Sequence, residues 1–197
     1  MSEIPQLADA LPLVPTSPRW LEVALADLDA VHADHLHCER KAAQSALSLI
    51  RSYPHQADLV TQMARLAHDE TRHVVQVAAL IQRREQPAAY DFGDDYAAAL
   101  RTHIRKGEPV RLLDRLLVFA VIEGRSAERL GLLAGALTDE RDRALYASLA
   151  DAEVRHRDVF LALARDACPD GWRARAGQLA AIEAELMATR VPVARIH

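Results

Sequence analysis

Apolar residues recur every three or four positions along most of this chain, drawing one continuous stripe through each of four long segments. The first stripe, Leu28, Val31, His35, Glu39, Ala42, Ala46 and Leu49, predicts a helix from about Asp27 to Ser52 that Tyr53-Pro54 stops. The second, Leu59, Met63, Leu66, Glu70, His73, Val77 and Leu80, predicts a helix from about Gln56 to Glu85 that ends before Gln86-Pro87. A third runs from Pro109 to about Leu137 through Leu112, Leu116, Phe119, Glu123, Ala127 and Leu130. The fourth starts at a Thr138-Asp139 cap and runs to about Ala167 through Tyr146, Leu149, Glu153, His156, Phe160 and Ala164. Shorter helices are expected at Pro18–Ala26, with Ser17 as cap, and near Tyr96–Ile104 within an irregular crossover from Ala88 to Gly107. Trp172 to Thr189, after the Pro169-Asp170-Gly171 break, reads as a further helix packed outside.

The stripes are interrupted by acids and imidazoles in a repeated order. Glu39 precedes Glu70-Thr71-Arg72-His73 by about thirty residues, and Glu123 precedes Glu153-Val154-Arg155-His156 by nearly the same interval. Residues three apart share a helix face, so each Glu-x-x-His offers a carboxylate and an imidazole to one ion. A lone Glu on an apolar face is costly unless paired, but four carboxylates balance two divalent ions and two neutral imidazoles complete the set. Helices carrying Glu, Glu-x-x-His, Glu and Glu-x-x-His inward form the di-iron or di-manganese site of ferritin-like bundles. The expected fold is therefore all-α: a ferritin-like four-helix bundle with additional N- and C-terminal helices. The chain is read as a single domain over residues 1–197, with the bundle core at about 27–167.

By analogy with such sites, Glu39 and His73 should bind one metal and Glu123 and His156 the other, with Glu70 and Glu153 bridging. Asp69 is a candidate acceptor for the free ring nitrogen of His73, and His35 a candidate neighbour of the ligands. His37, His55, His68, His103 and His197 lack ligand-spaced partners and are expected in solvent. Phe119, Leu116, Tyr146 and Phe160 are candidate walls of an apolar pocket.

Composition narrows the setting. Half of the 197 residues are hydrophobic and aromatics are few, which suits close-packed helices. No basic-then-apolar leader and no membrane-length apolar run occur, so a cytoplasmic protein is expected, without membrane contact. Cys38 and Cys168 form no Cys-x-x-Cys, which removes a rubredoxin-like iron domain. A net charge of −4 argues against broad nucleic-acid binding but leaves room for a local patch. Arg83-Arg84 and the crossover residues Arg101, Arg105 and Lys106 are the candidates, with Arg173 and Arg175 next.

Fold and ligands alone leave iron storage, peroxide handling and oxygen activation open. The flanks narrow the choice. Asp34-His35-Leu36-His37-Cys38-Glu39-Arg40-Lys41, Leu66-Ala67-His68-Asp69-Glu70-Thr71-Arg72-His73 and Ile122-Glu123-Gly124-Arg125-Ser126-Ala127-Glu128-Arg129 resemble the bacterial tRNA-(2-methylthio-N6-isopentenyladenosine) hydroxylase family, MiaE. The resemblance covers roughly Trp20 to Ala164. It implies two Fe ions, O2 as co-substrate and hydroxylation of the isopentenyl group on an adenosine next to the tRNA anticodon. It also implies an external electron donor, because no flavin or iron–sulfur motif is present. Arg83, Arg84, Arg101, Arg105 and Lys106 would then meet phosphates of the anticodon stem-loop, and the protein is expected to be a monomer served by a reductase. The alternative is a ferritin-like iron-storage or peroxide-handling protein.

Overall fold

The computed structural model describes residues 7–87 and 89–197, so the first six residues of the N-terminal stretch and Ala88 in the crossover lie outside the described residues. All regular structure among them is helical: α1 (Pro18–Ala26), α2 (Leu28–Ser52), α3 (Ala57–Arg83), α4 (Asp95–Arg101), α5 (Val110–Ala136), α6 (Glu140–Ala167) and α7 (Trp172–Thr189). The stops fall where backbone chemistry puts them. Asp27 caps α2 by accepting from the Ala30 N–H, Asp94 caps α4 through Ala97, and Asp139 caps α6 through Arg141 and Asp142. Ser17 stands at the N-cap of α1 but makes no side-chain capping bond there, and the crossover helix also departs from expectation. It starts and ends earlier than Tyr96–Ile104 because Asp94 supplies the cap.

Two hairpins, α2–α3 and α5–α6, form the bundle, and α3 meets α6 across it. No backbone packing joins α2 to α5. The gap between those two helices is covered instead by the start of α4 and by the 190–197 tail, while α7 packs on α5.

The apolar core is divided in two. One cluster holds Leu49, Met63, Leu66, Leu116 and Phe160; the other holds Trp20, Val31, Val77, Leu80, Leu130 and Tyr146. On every bundle helix the Glu or Glu-x-x-His lies between the two clusters, so the six residues form a polar waist through the middle of the molecule.

A second polar cluster ties the outer segments to α5. Arg125 is fully buried; its guanidinium donates to both oxygens of the equally buried Glu183 of α7, at 2.9 Å each, and to the Val14 carbonyl. Glu128 joins it and accepts from the backbone N–H and hydroxyl of Thr16. Removing one partner of a fully buried ion pair leaves the other charge uncompensated. Arg125→Ala should therefore cost about 3–5 kcal/mol, read as a lower urea midpoint with unchanged slope. Replacing Arg125 and Glu183 together by Leu should recover most of that loss, whereas an unchanged midpoint in Arg125→Ala would show that the pair contributes little.

Candidate metal centre

Four helices bring the six residues together. Glu39 comes from α2, Glu70 and His73 from α3, Glu123 from α5, and Glu153 and His156 from α6, and all are at most 5% exposed. His73 Nδ1 lies 3.3 Å from Glu39 Oε2, 3.3 Å from Glu70 Oε2 and 3.8 Å from Glu153 Oε1. His156 Nδ1 lies 2.8 Å from Glu70 Oε1 and 3.4 Å from Glu153 Oε2. Glu70 and Glu153 thus each turn one oxygen to His73 and the other to His156. Glu123 sits against Glu153 and completes the second half.

These contacts are close without being satisfied. Glu70 Oε1, Glu153 Oε2 and His156 Nδ1 are buried and have no aligned hydrogen bond. Burial first, and then the facing carboxylates, pushes Glu70, Glu123 and Glu153 up, Glu153 to about 8. Glu39 is the exception. Burial also acts to raise it, but hydrogen bonds from His35 and His73 outweigh that and hold it below the ordinary carboxylate range. Three acids that resist ionising and several orphaned donor atoms converging on one space are what a site built for two cations shows without its counter-charge. The residues fit a pair of divalent ions.

The surroundings correct three expectations. Asp69 does not serve His73: it is half-exposed, lies 3.5 Å from Arg72 and stands 3.9 Å from His156 Nε2, because its position on α3 points toward α6. His197 is buried rather than in solvent, and His37 is half-buried with its Nε2 at 2.9 Å from the Ala89 carbonyl. Of the four proposed pocket walls, only Phe119 lines the cavity at the site; Leu116, Tyr146 and Phe160 are enclosed core. His35 stands beside Glu39, as expected of a neighbour of the site, and lines the cavity as well. Its Nε2 is 2.6 Å from Glu39 Oε1, and its ring lies on the cavity wall against Tyr146.

That cavity, about 50 Å³, fills the gap between α2 and α5. Glu39, Glu123 and Glu153 form its floor, Phe119, Ile122 and Ala42 its sides, and Asp94, Arg101, Ile196 and His197 its cover. The cover went unread in the sequence. His197 Nε2 is 2.8 Å from Ser126 Oγ, its Nδ1 is 3.3 Å from Asp94, and Arg129 donates to the Ile196 carbonyl at 2.6 Å. No spacing rule links residues so far apart; only the Ile122–Arg129 segment, which matches the family flanks, hinted that this turn of α5 mattered.

Comparison with known proteins places the chain. Residues 4–197 match the family described as tRNA-(MS2IO6A)-hydroxylase (MiaE). The chain belongs to the MiaE family. A relative from Pseudomonas putida, named tRNA 2-(methylsulfanyl)-N(6)-isopentenyladenosine(37) hydroxylase, is 41% identical over 198 residues, covering 100% of this chain and 96% of its own. A protein of the same name from Salmonella typhimurium is 29% identical, covering 93% of this chain and 86% of its own. A solved structure titled "Protein 43 with aldehyde deformylating oxygenase activity from Synechococcus" superposes with a TM-score of 0.87 at 37% identity, covering 95% of this chain and 94% of that one. The bundle is thus the ferritin-like fold, and the buried Glu/His cluster of this MiaE-family chain fits a di-iron site. No helix among the described residues is long and apolar enough to cross a membrane.

The raised acids fix a sign for the metal-free chain. A carboxyl whose folded pKa exceeds its unfolded value holds its proton longer when folded, so its stabilisation is full at low pH and is lost as pH rises through the folded value. The apo protein should therefore lose stability between the ordinary carboxylate range and about pH 8. Loading two divalent ions should abolish that slope and release protons. Titration by differential scanning calorimetry checks it, and identical slopes with and without metal would contradict the reading.

Proposed function

We propose that this chain is an O2-dependent di-iron hydroxylase of the isopentenyl group of 2-methylthio-N6-isopentenyladenosine next to the tRNA anticodon. The observation that carries this reading is the cavity whose floor is the three carboxylates Glu39, Glu123 and Glu153, in a chain 41% identical to a protein named for that activity. In this reading Glu39, Glu70, His73, Glu123, Glu153 and His156 would hold the two metals, with Glu70 and Glu153, which face both imidazoles, shared by the two halves of the site. When bound, the two irons supply the reduction of O2 and the oxidising power for C–H cleavage. One oxygen atom enters the substrate C–H bond and the other leaves as water, with two electrons and two protons consumed. The electrons come from an external reductase.

The chain's own share is positioning and exclusion of water. His35 fixes the Glu39 carboxylate through the oxygen that does not face His73. Phe119 and Ile122 present an apolar wall to an alkenyl group, above the carboxylate floor. The cavity is roofed by α4 and the 190–197 tail, so in this reading the alkenyl group enters past that cover. In this reading the 190–197 tail is the part of the cover that yields, releasing the hydrogen bonds of Trp20 Nε1 to the Arg195 carbonyl, of the Ile196 N–H to Asp34, of Arg129 to the Ile196 carbonyl and of His197 with Ser126 and Asp94.

The proposed phosphate contacts divide in two. Arg83 and Arg84 both pair with the buried Asp142, and Arg105 shares the buried Asp114 with Arg175, so these four guanidinium groups are already engaged within the chain. Arg101 and Lys106 are exposed with no ion pair among the described residues, and Arg101 stands on the rim of the cavity. They carry the phosphate contacts in this reading, and the chain acts as a monomer.

Incubation with O2, a reductant and tRNA bearing methylthio-isopentenyladenosine should yield the hydroxylated nucleoside, with label incorporated from 18O-labelled O2 and none from labelled water. Untouched tRNA together with rapid peroxide consumption would favour the peroxide-handling alternative. A second reading follows from the solved relative's title: production of a shortened hydrocarbon from an added aldehyde, with tRNA unmodified, would replace the hydroxylase assignment. Arg101→Ala/Lys106→Ala should flatten the salt dependence of tRNA binding by roughly 0.7–0.9 in log–log slope for each phosphate no longer neutralised, at unchanged iron content. An unchanged slope would move the phosphate face elsewhere.

A further inference from the structure

Two aromatic side chains on the α3–α4 loop are left almost wholly in water. Tyr90 is 87% and Phe92 78% exposed. The remaining Tyr and Phe side chains, Tyr53, Tyr96, Phe119, Tyr146 and Phe160, are buried or half-buried. Leaving a large apolar ring uncovered forgoes roughly 1.5–3 kcal/mol of burial, and here a chain short of aromatics does so twice within three residues.

The loop that carries them is nevertheless stitched down. Asp91, between the two rings, faces the other way: its carboxylate takes Arg40 at 2.6 Å and Lys41 at 3.4 Å, on the turn of α2 that follows Glu39. It also accepts from the Gly93 N–H at 2.9 Å. Gly93 at φ +88° turns the chain into Asp94, which caps α4 and covers the cavity. On the other side, His37 meets the Ala89 carbonyl at 2.9 Å and Arg195 meets the Gly93 carbonyl at 3.1 Å. Fixed backbone beneath outward rings is a presented surface, and it adjoins the cavity elements: Lys41, Asp94 and the unpaired Arg101 line that space.

We propose that Tyr90 and Phe92 are a stacking platform for unpaired nucleobases beside the one whose side chain enters the cavity. This rests on the tRNA-hydroxylase reading and adds how the substrate is held. Single-stranded RNA loops are recognised by splayed bases stacked on aromatic side chains, with cationic groups on the backbone. Arg101 supplies the phosphate contact at the rim.

The test uses the iron-loaded, full-length protein and a synthetic anticodon stem-loop carrying methylthio-isopentenyladenosine, with the fluorescent base 2-aminopurine at a neighbouring loop position. Wild-type protein should bind it and change the 2-aminopurine emission through stacking. Tyr90→Ala and Phe92→Ala should each weaken binding roughly five- to hundred-and-fifty-fold, abolish most of the emission change, and leave the salt slope, iron content and thermal midpoint as they were. Tyr90→Phe and Phe92→Tyr should restore both readouts, since either ring stacks. Unchanged affinity and emission in the alanine variants, with wild-type protein binding and hydroxylating the stem-loop, would overturn the platform alone. Unchanged RNA binding with slowed reduction of the iron by a reductase would also overturn it, in favour of a protein partner. A wild-type protein that neither binds nor hydroxylates the stem-loop would overturn the functional reading and the platform with it.

Discussion

Four carboxylates buried at the centre of an apolar bundle are the constraint around which the rest of this molecule is arranged. Glu39, Glu70, Glu123 and Glu153 face one another and have been removed from water, so without counter-charge Glu70, Glu123 and Glu153 tend to keep their protons while Glu39 relies on hydrogen bonds from His35 and His73. The fold tolerates the waist because an apolar cluster closes it on each side and because each carboxylate is delivered from the middle of a long helix, where the backbone is already satisfied. Two divalent ions would neutralise the four charges and satisfy the orphaned oxygens and imidazole nitrogen together. The strain of the metal-free site and the fit of the metal-loaded one are the same fact.

The arrangement also explains the asymmetry of the bundle. α2 and α5 carry one of the six converging residues each and do not pack backbone to backbone, whereas α3 and α6 carry two each and meet directly. Glu70 and Glu153, each facing both imidazoles, close the α3–α6 side, and the cavity lies on the α2–α5 side. The chain covers it with separate pieces, α4 and the 190–197 tail, held through Asp94, Ser126 and His197. The same turn of α5 that follows Glu123 holds the tail through Ser126 and Arg129 and the N-terminal stretch through Arg125 and Glu128. A Cβ added at Gly124 on this turn would stand 3.0 Å from Leu13 Cδ1, so the N-terminal stretch packs closely there.

The bundle was legible in the sequence because it is periodic and locally punctuated. The stripes, the Ser17-Pro18 start and the Asp139 cap placed six helices to within a residue or two, and the repeated Glu and Glu-x-x-His set named the residues that converge. What was not legible is contact between distant segments without periodicity. His197 looked like a free terminal histidine until the fold set it between Ser126 and Asp94. Arg83, Arg84 and Arg105 looked like a basic surface; their partners Asp142 and Asp114 lie far enough along the chain, or on another helix, that charge counting cannot pair them. Asp69 shows a smaller failure of the same kind, since a one-turn rule fixes a residue's face but not which neighbouring helix lies beyond it.

The central claim is that this waist holds two irons sharing two carboxylates. Crystals of the iron-loaded protein, measured on both sides of the iron absorption edge, test it directly. The account predicts two anomalous peaks per chain, one between Glu39 and His73 and the other between Glu123 and His156, each within bonding distance of Glu70 and Glu153. A single peak, or iron located away from these six side chains, would contradict it.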